Sequence, residues 1–143
     1  MPQTTNGFVY PASSDHTRIW EHLQNLAESV DVAWPAMRQL DLSGPGAGPI
    51  SASFTQTTAA TLLFVPQFYA YKATAGFVGI GARIGGVTIA GANFYQSGGS
   101  STHNMVAWGL HDVQPGQVTV EFFSTYGITF QSGTNKCLVL GPA

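Results

Sequence analysis

Charge is scarce in this chain. Only 8% of its 143 residues are Asp, Glu, Lys or Arg, against roughly 25% in an average soluble domain. The net charge of −2 leaves no basic footprint for nucleic acid and no polybasic patch for a membrane surface. Cysteine is almost missing as well. Cys137 stands alone, which excludes an intrachain disulfide framework and any cysteine-based zinc site, and it reads as a small apolar residue in a strand. No stretch approaches the roughly 18 apolar residues that a membrane-spanning helix requires. The opening MPQTTNGFVYPASSD has neither a basic start nor an apolar core, so it does not read as a secretory signal.

What the chain does have is apolar and aromatic mass. At 44% hydrophobic and 12% aromatic, it is too rich in core-forming residues to be disordered. Its length suits one compact domain with a short appendage. The few charges are also unevenly spread. Asp15, Arg18, Glu21, Glu28, Asp31, Arg38 and Asp41 fall in the first 42 positions, and the other 101 residues hold only Lys72, Arg83, Asp112, Glu121 and Lys136. A monomeric domain normally needs more charge than that to stay unassociated. Much of its surface is therefore expected to face other subunits.

Residues 15–33, DHTRIWEHLQNLAESVDVA, carry a helical period. Ile19, Leu23, Leu26 and Val30 form an apolar stripe widened by Trp20 and Ala27, opposite Arg18, Glu21, Gln24, Asn25 and Glu28. Asp15 or Thr17 caps the start and Pro35 limits the end. So short a helix is marginal alone in water and needs a partner for its stripe, either its own domain or further copies of the chain. Ile19, Trp20, Leu23, Leu26 and Val30 are the candidate oligomerisation and docking residues. The joint SGPGAGP then ends the helical period. The expected organisation is an N-terminal segment over 1–42, a Gly/Pro linker over 43–50, and a β domain over 51–143.

Beyond the joint the period is 2. Strands are predicted over 51–55, 61–72, 77–84, 87–94, 104–111, 117–125, 128–131 and 136–140, separated by turn signals such as SGGSS, QPG and SGTN. About eight short strands with no helical period among them predict an antiparallel jelly-roll β-sandwich. In 117–125, Val118, Val120 and Phe122 share one face, and Thr119, Glu121 and Phe123 share the other. An aromatic on an outer face is a candidate for subunit or ligand contact.

The stretch GFVGIGARIGGVTIAG superficially resembles a phosphate loop. A dinucleotide fingerprint requires G-x-G-x-x-G opening a helix; here the third glycine comes one place late and a β-branched, aromatic run follows. The segment has no lysine for a Walker-type loop. Gly85-Gly86 instead suits a type I′ hairpin turn. That turn pairs Ile84 with Val87, Arg83 with Thr88 and Ala82 with Ile89. It puts Val78, Ile80, Ala82, Ile84, Val87 and Ile89 on the core face, with Phe77, Gly79, Gly81, Arg83, Thr88 and Ala90 outside. Glycine on an outer face weakens a strand unless a backbone or aromatic comes close, so Gly79 and Gly81 each predict such a neighbour.

Catalytic patterns are sparse. His16 and His22 are six apart and do not share a helix face, and His103 and His111 stand near opposite ends of one predicted strand. None belongs to H-x-H or H-E-x-x-H, and G-x-S-x-G is absent. Asp112 and Glu121, the only acids after position 50, are the sole candidates for a carboxylate pair. The chain is read as a non-enzyme without metal or cofactor. Aromatics carry the remaining functional signal. Tyr69, Tyr71, Tyr95 and Tyr126 are the candidate exposed contacts, either between subunits or stacked on sugar rings.

The opening NGFVYPASSDHTRIWEHLQNLAESVDVAW resembles the N-terminal segment of minor tail and fibre-like proteins of tailed phages that infect actinobacteria. The matching residues are Tyr10-Pro11, Ser14-Asp15, the helix through Leu26-Ala27, and Val30-Asp31. The likeness covers about the first fifth of the chain. It implies an N-terminal attachment or trimerisation element that docks on other phage structural proteins, followed by a variable domain. The β-rich region looks like the small trimeric jelly rolls of phage fibre tips and tumour-necrosis-factor-like heads. No extended repeat joins the two parts, so a short knob or spike fits better than a long fibre. The resemblance implies a homotrimeric virion protein, either a minor tail or tail-tip protein contacting a host-surface glycan or a capsid decoration or head-fibre protein. A carbohydrate-binding module is the reading from a different class.

Overall fold

The computed structural model describes residues 21, 23–25, 36–42, 48–131 and 135–143. The chain divides into two units, Met1–Pro35 and Ala36–Ala143. In the first, residues 21 and 23–25 are helical, inside the helix predicted over 15–33, and Leu23 is 40% exposed. Ile19, Trp20, Leu26 and Val30, like His16 and His22, lie outside the described residues.

The second unit is an antiparallel sandwich. Its described strands are β1 (Ala36–Asp41), β2 (Ile50–Gln56), β3 (Ala60–Lys72), β4 (Gly76–Ile84), β5 (Val87–Gln96), β6 (Ser101–Val106), β7 (Gly109–Val113), β8 (Gly116–Ser124), β9 (Thr129–Phe130) and β10 (Lys136–Gly141). One sheet runs β1-β10-β3-β6, with β7 and β9 also paired to β3; the other runs β2-β8-β4-β5.

These pairings nest. β4 pairs with β5, β3 with β6 and β7, β2 with β8, and β1 with β10. The two members of each pair stand at nearly equal distances along the chain from Gly85-Gly86. The unit is thus one long two-stranded ribbon, turned at that dipeptide and rolled so that successive pairs fall in alternate sheets. This is the predicted jelly-roll β-sandwich.

The turn itself forms as expected. Gly85 and Gly86 both take positive φ, 55° and 81°, which side chains disfavour and a type I′ turn demands. Ile84 pairs with Val87 and Arg83 with Thr88, but the register then shifts and Ala82 pairs with Ala90 rather than Ile89. Ile89 is therefore the extra residue of a β-bulge. Its carbonyl oxygen lies against Gly109 of the other sheet, in the space a Cβ would occupy. Two expectations change. The bulge buries Ala90 instead of leaving it outward, and Val87, beside the turn, is 55% exposed instead of on the core face.

The core is aromatic at its centre. Phe64, Phe68, Phe122 and Phe130 are fully buried, with Phe68 and Phe122 ring centroids 4.6 Å apart and Phe122 and Phe130 6.3 Å apart. Val78, Ile80, Val120 and Val139 complete it. Cys137 is buried there too, and burial pushes its thiol up to about 12.

Two further departures from the sequence reading have causes in the packing. The sandwich begins at Ala36, so residues 36–42 belong to it and not to the N-terminal segment. β1 hides its alternation because a cation, Arg38, shares its inward side with Leu40. The guanidinium lies 4.5 Å over the Phe54 ring and donates to Gln56 Oε1 (2.9 Å) and the Pro142 carbonyl (3.2 Å). The strand predicted over 104–111 is two strands, β6 and β7, broken at Ala107-Trp108. Ala107 N–H donates to the Pro66 carbonyl at 3.1 Å, but Pro66 has no N–H to return the bond. Finally, the gap between β9 and β10 is bridged by buried Asn135, whose Oδ1 accepts from Tyr69 N–H at 2.8 Å and whose Nδ2 donates to the Gln131 carbonyl.

Candidate functional site

The outer face of the four-stranded sheet is built on glycine. On β4 the outward positions after Phe77 are Gly79, Gly81 and Arg83, and on β5 Gly91 stands opposite Gly81. Phe123 of β8 lies over Gly81, with two ring carbons 2.7 and 2.8 Å from where a Cβ would be. Arg83 stacks on that ring at 4.7 Å and pairs with Glu121. Over Gly79 the filling is polar and aromatic: Thr125 Oγ1 at 2.5 Å from the Cβ position, Asn93 Oδ1 at 2.9 Å and the Tyr126 ring at 3.2 Å. Both glycines thus have the close neighbour that sequence requires, supplied by the same chain.

Next to this floor stands an aromatic cluster. Phe77, Tyr95 and Tyr126 are 64%, 60% and 51% exposed. Tyr95 meets Phe77 edge to face at 5.2 Å between centroids, and Tyr126 lies 6.2 Å from Phe77. The loop carrying Tyr126 is pinned from several sides. Thr125 N–H donates to the Gly79 carbonyl (3.1 Å), Tyr126 N–H donates to Ser124 Oγ (3.2 Å), and the buried Lys72 ammonium donates to the Tyr126 carbonyl (3.1 Å).

Behind the cluster, buried Gln96 ties the neighbouring loops together. Its Nε2 donates to the Thr74 carbonyl (3.0 Å) and to the Gly99 carbonyl, so its Oε1 is the acceptor facing His103 Nε2 at 2.6 Å. In this contact His103 Nε2 is the donor. The His103 ring also meets the Phe94 ring at 4.4 Å.

The predicted contact residues therefore separate. Tyr95 and Tyr126 come together, joined by Phe77, which sequence reading placed outward but did not single out. Tyr69 and Tyr71 are half-buried on β3, in the other sheet. Asp112 and Glu121 form no pair. Asp112 on β7 accepts from the Thr61 hydroxyl, and Glu121 on β8 binds Arg83. His111 and Asp112 line an open cleft of about 390 Å³ with Gln114 and Gln117 near the hairpin end. Among the described residues no group of three His, Cys, Asp or Glu side chains could hold a metal, and no helix is long and apolar enough to cross a membrane.

The outer face of the six-stranded sheet has a different character. Met37, Leu140, Leu63 and Leu110 form one cross-strand row over β1, β10, β3 and β7. Leu138 and Val65 pair in the next row, and Gln67 faces Val106 in the one after. Met37, Val106, Trp108 and Leu110 are 62–71% exposed. A shallow depression of about 170 Å³ among Gln39, Val65, Gln67, Val106, Lys136 and Leu138 indents this face.

No family model matches the chain, and no curated protein matches it in sequence. Solved structures do match in fold. Dimeric latent PorU from Porphyromonas gingivalis superposes with a TM-score of 0.52 at 10% identity, over 75% of this chain and 12% of that one. The chain thus spans only a small part of that protein. The tripod from the baseplate of bacteriophage Tuc2009 gives 0.47 at 15% identity, over 100% of this chain and 78% of that one. The CBM36-1 domain of a multidomain xylanase from the hindgut metagenome of Trinervitermes trinervoides gives 0.40 at 13% identity, over 76% and 98%. The PorU likeness supports the β-sandwich fold and nothing further.

Proposed function

We propose that the chain is a structural protein of a phage virion, a minor tail or tail-tip knob that assembles as a homotrimer. Its N-terminal segment docks on other phage structural proteins, and the sandwich contacts the host surface. The observation that carries this reading is the apolar row Met37-Leu140-Leu63-Leu110 with Trp108 and Val106 beside it. Monomeric proteins rarely leave a contiguous apolar face of this kind in water. Only five charged residues follow position 42, so the sandwich has little charge with which to oppose self-association. A second copy of the same face is the natural cover, and the phage-like N-terminal sequence supplies the setting.

Light scattering at micromolar concentration tests the assembly directly. The wild-type chain is expected to run as a trimer, and Leu110→Glu or Met37→Glu, both at exposed positions, to release monomers. A stable wild-type monomer overturns the reading. Copy number in purified particles locates the protein: a handful of trimers places it in the tail, and hundreds of copies make it a capsid decoration instead.

A further inference from the structure

The geometry points to the cluster of Phe77, Tyr95 and Tyr126 as a glycan-binding site that takes neutral pyranose units of a surface polysaccharide. This rests on the host-contact reading above and names its ligand class. A pyranose ring presents C–H groups on its faces and hydroxyls around its rim. Its receptor therefore needs an exposed aromatic face with neutral hydrogen-bonding groups at the edge. Phe77, Tyr95 and Tyr126 supply the rings. The two phenol hydroxyls, Asn93 Oδ1 and Thr125 Oγ1 supply the rim, the last two converging over Gly79.

Charge selects among ligands. The neighbouring ionic groups of this face, Arg83 and Glu121, are paired with each other, and Lys72 is buried with its ammonium on the Tyr126 carbonyl. Among the described residues no free cation stands at the cluster to favour phosphate, sulfate or a nucleic-acid backbone over a neutral ligand. The site is also held in advance. The anchors on Thr125, Tyr126 and Lys72 fix the loop before any ligand arrives, which lowers the ordering cost of binding. The edge-to-face arrangement of Phe77 and Tyr95 offers single ring faces and no flat strip, which suits one or two sugar units of a soluble chain. The cluster and the apolar row lie on opposite sheets, so a trimer closed through the row leaves the cluster open.

The test uses the full chain against neutral oligosaccharides of four to six units (glucan, mannan, galactan and arabinan series), with heparin fragments and oligo-dT as charged controls. Calorimetry is expected to give a Kd of about 1 mM or tighter for at least one neutral series and nothing for the controls. Tyr95→Ala and Tyr126→Ala, both at exposed positions, are expected to weaken that binding about tenfold or more with the trimer and thermal midpoint intact. Gln114→Ala, in the separate cleft near the hairpin end, is expected to leave it unchanged. Absence of binding across the neutral series, or binding indifferent to both tyrosine variants, overturns the site while leaving the trimeric virion reading standing. Loss of the trimer in the tyrosine variants assigns the cluster to a second copy and overturns it too. Preference for heparin or oligo-dT overturns the neutral-ligand assignment.

Discussion

Gly81→Ala, made alone and together with Phe123→Ala, tests whether the glycine exists to seat the ring. In the wild type the new methyl carbon would stand 2.7 and 2.8 Å from two carbons of Phe123, against an optimum of roughly 3.5–4.0 Å. The ring can swing away by about 1 Å, but that loosens Arg83, stacked at 4.7 Å. At a half-exposed site such a stack is worth about 0.5–1 kcal/mol, and displaced ring contacts add to the loss. Alanine in a strand recovers about 0.5–1 kcal/mol over glycine. The single variant is therefore expected to be destabilised by about 1 kcal/mol. Once Phe123 is alanine the ring is gone, and the next neighbour is the Ala90 carbonyl, 3.4 Å away. The same Gly81→Ala change should then stabilise by about 0.5 kcal/mol. Urea unfolding of the four proteins, at one chain concentration because assembly couples to stability, should give a coupling of about 1.5 kcal/mol. An equal effect of Gly81→Ala in both backgrounds refutes the reasoning.

Other substitutions probe the frame behind the site. Gly109→Ala puts a methyl onto the Ile89 carbonyl; because backbone meets backbone, the sheets must part, and a loss of about 3 kcal/mol is expected in denaturant unfolding. Asn135→Ala leaves Tyr69 N–H and the Gln131 carbonyl without their side-chain partner, for about 2 kcal/mol by the same measurement. Cys137 gives a pH signature. Its folded pKa, about 12, exceeds the ordinary 9.0, so the unfolded state ionises first. The stability it contributes is complete below pH 9 and falls as pH rises toward 12, by at most about 4 kcal/mol. The wild type should lose stability in that window faster than Cys137→Ala; parallel curves would contradict the burial argument.

The strands after residue 50 are readable because their inward residues alternate without interruption, as Val118, Val120 and Phe122 do, and because glycine pairs and polar clusters separate them. β1 is not readable on those terms. Its inward Arg38 becomes acceptable only through Phe54, Gln56 and Pro142, partners far away in sequence. The break between β6 and β7 follows from Pro66, which lies on the neighbouring strand and leaves no mark in the run from 104 to 111. Nested pairing about Gly85-Gly86 was implicit in the turn. Rolling the ribbon into two sheets is decided by tertiary packing, which local periodicity does not encode.

The site shows the same division at the scale of one residue. From the turn alone, continued pairing without a bulge would set Phe77 opposite Phe94, leaving Tyr95 and Asn93 on the core side of β5. The bulge at Ile89 moves the register by one, and a one-residue slip exchanges the two faces of a strand. Phe77 now faces Tyr95, Gly79 faces Asn93, and Phe94 turns inward against His103. Both the aromatic pair and the polar rim therefore depend on an irregularity that is itself permitted by Gly109 in the opposite sheet. The outward Phe77 and the demanding glycines are legible in the sequence, yet their meeting with Tyr95 and Asn93 is not, because the residue that aligns them acts across the core. Gly109→Ala should accordingly disturb the outer face as well as the core. If the bulge is what aligns the cluster, glycan binding should fall in Gly109→Ala even where the variant remains folded. Unchanged affinity in a folded Gly109→Ala protein would separate the cluster from the bulge.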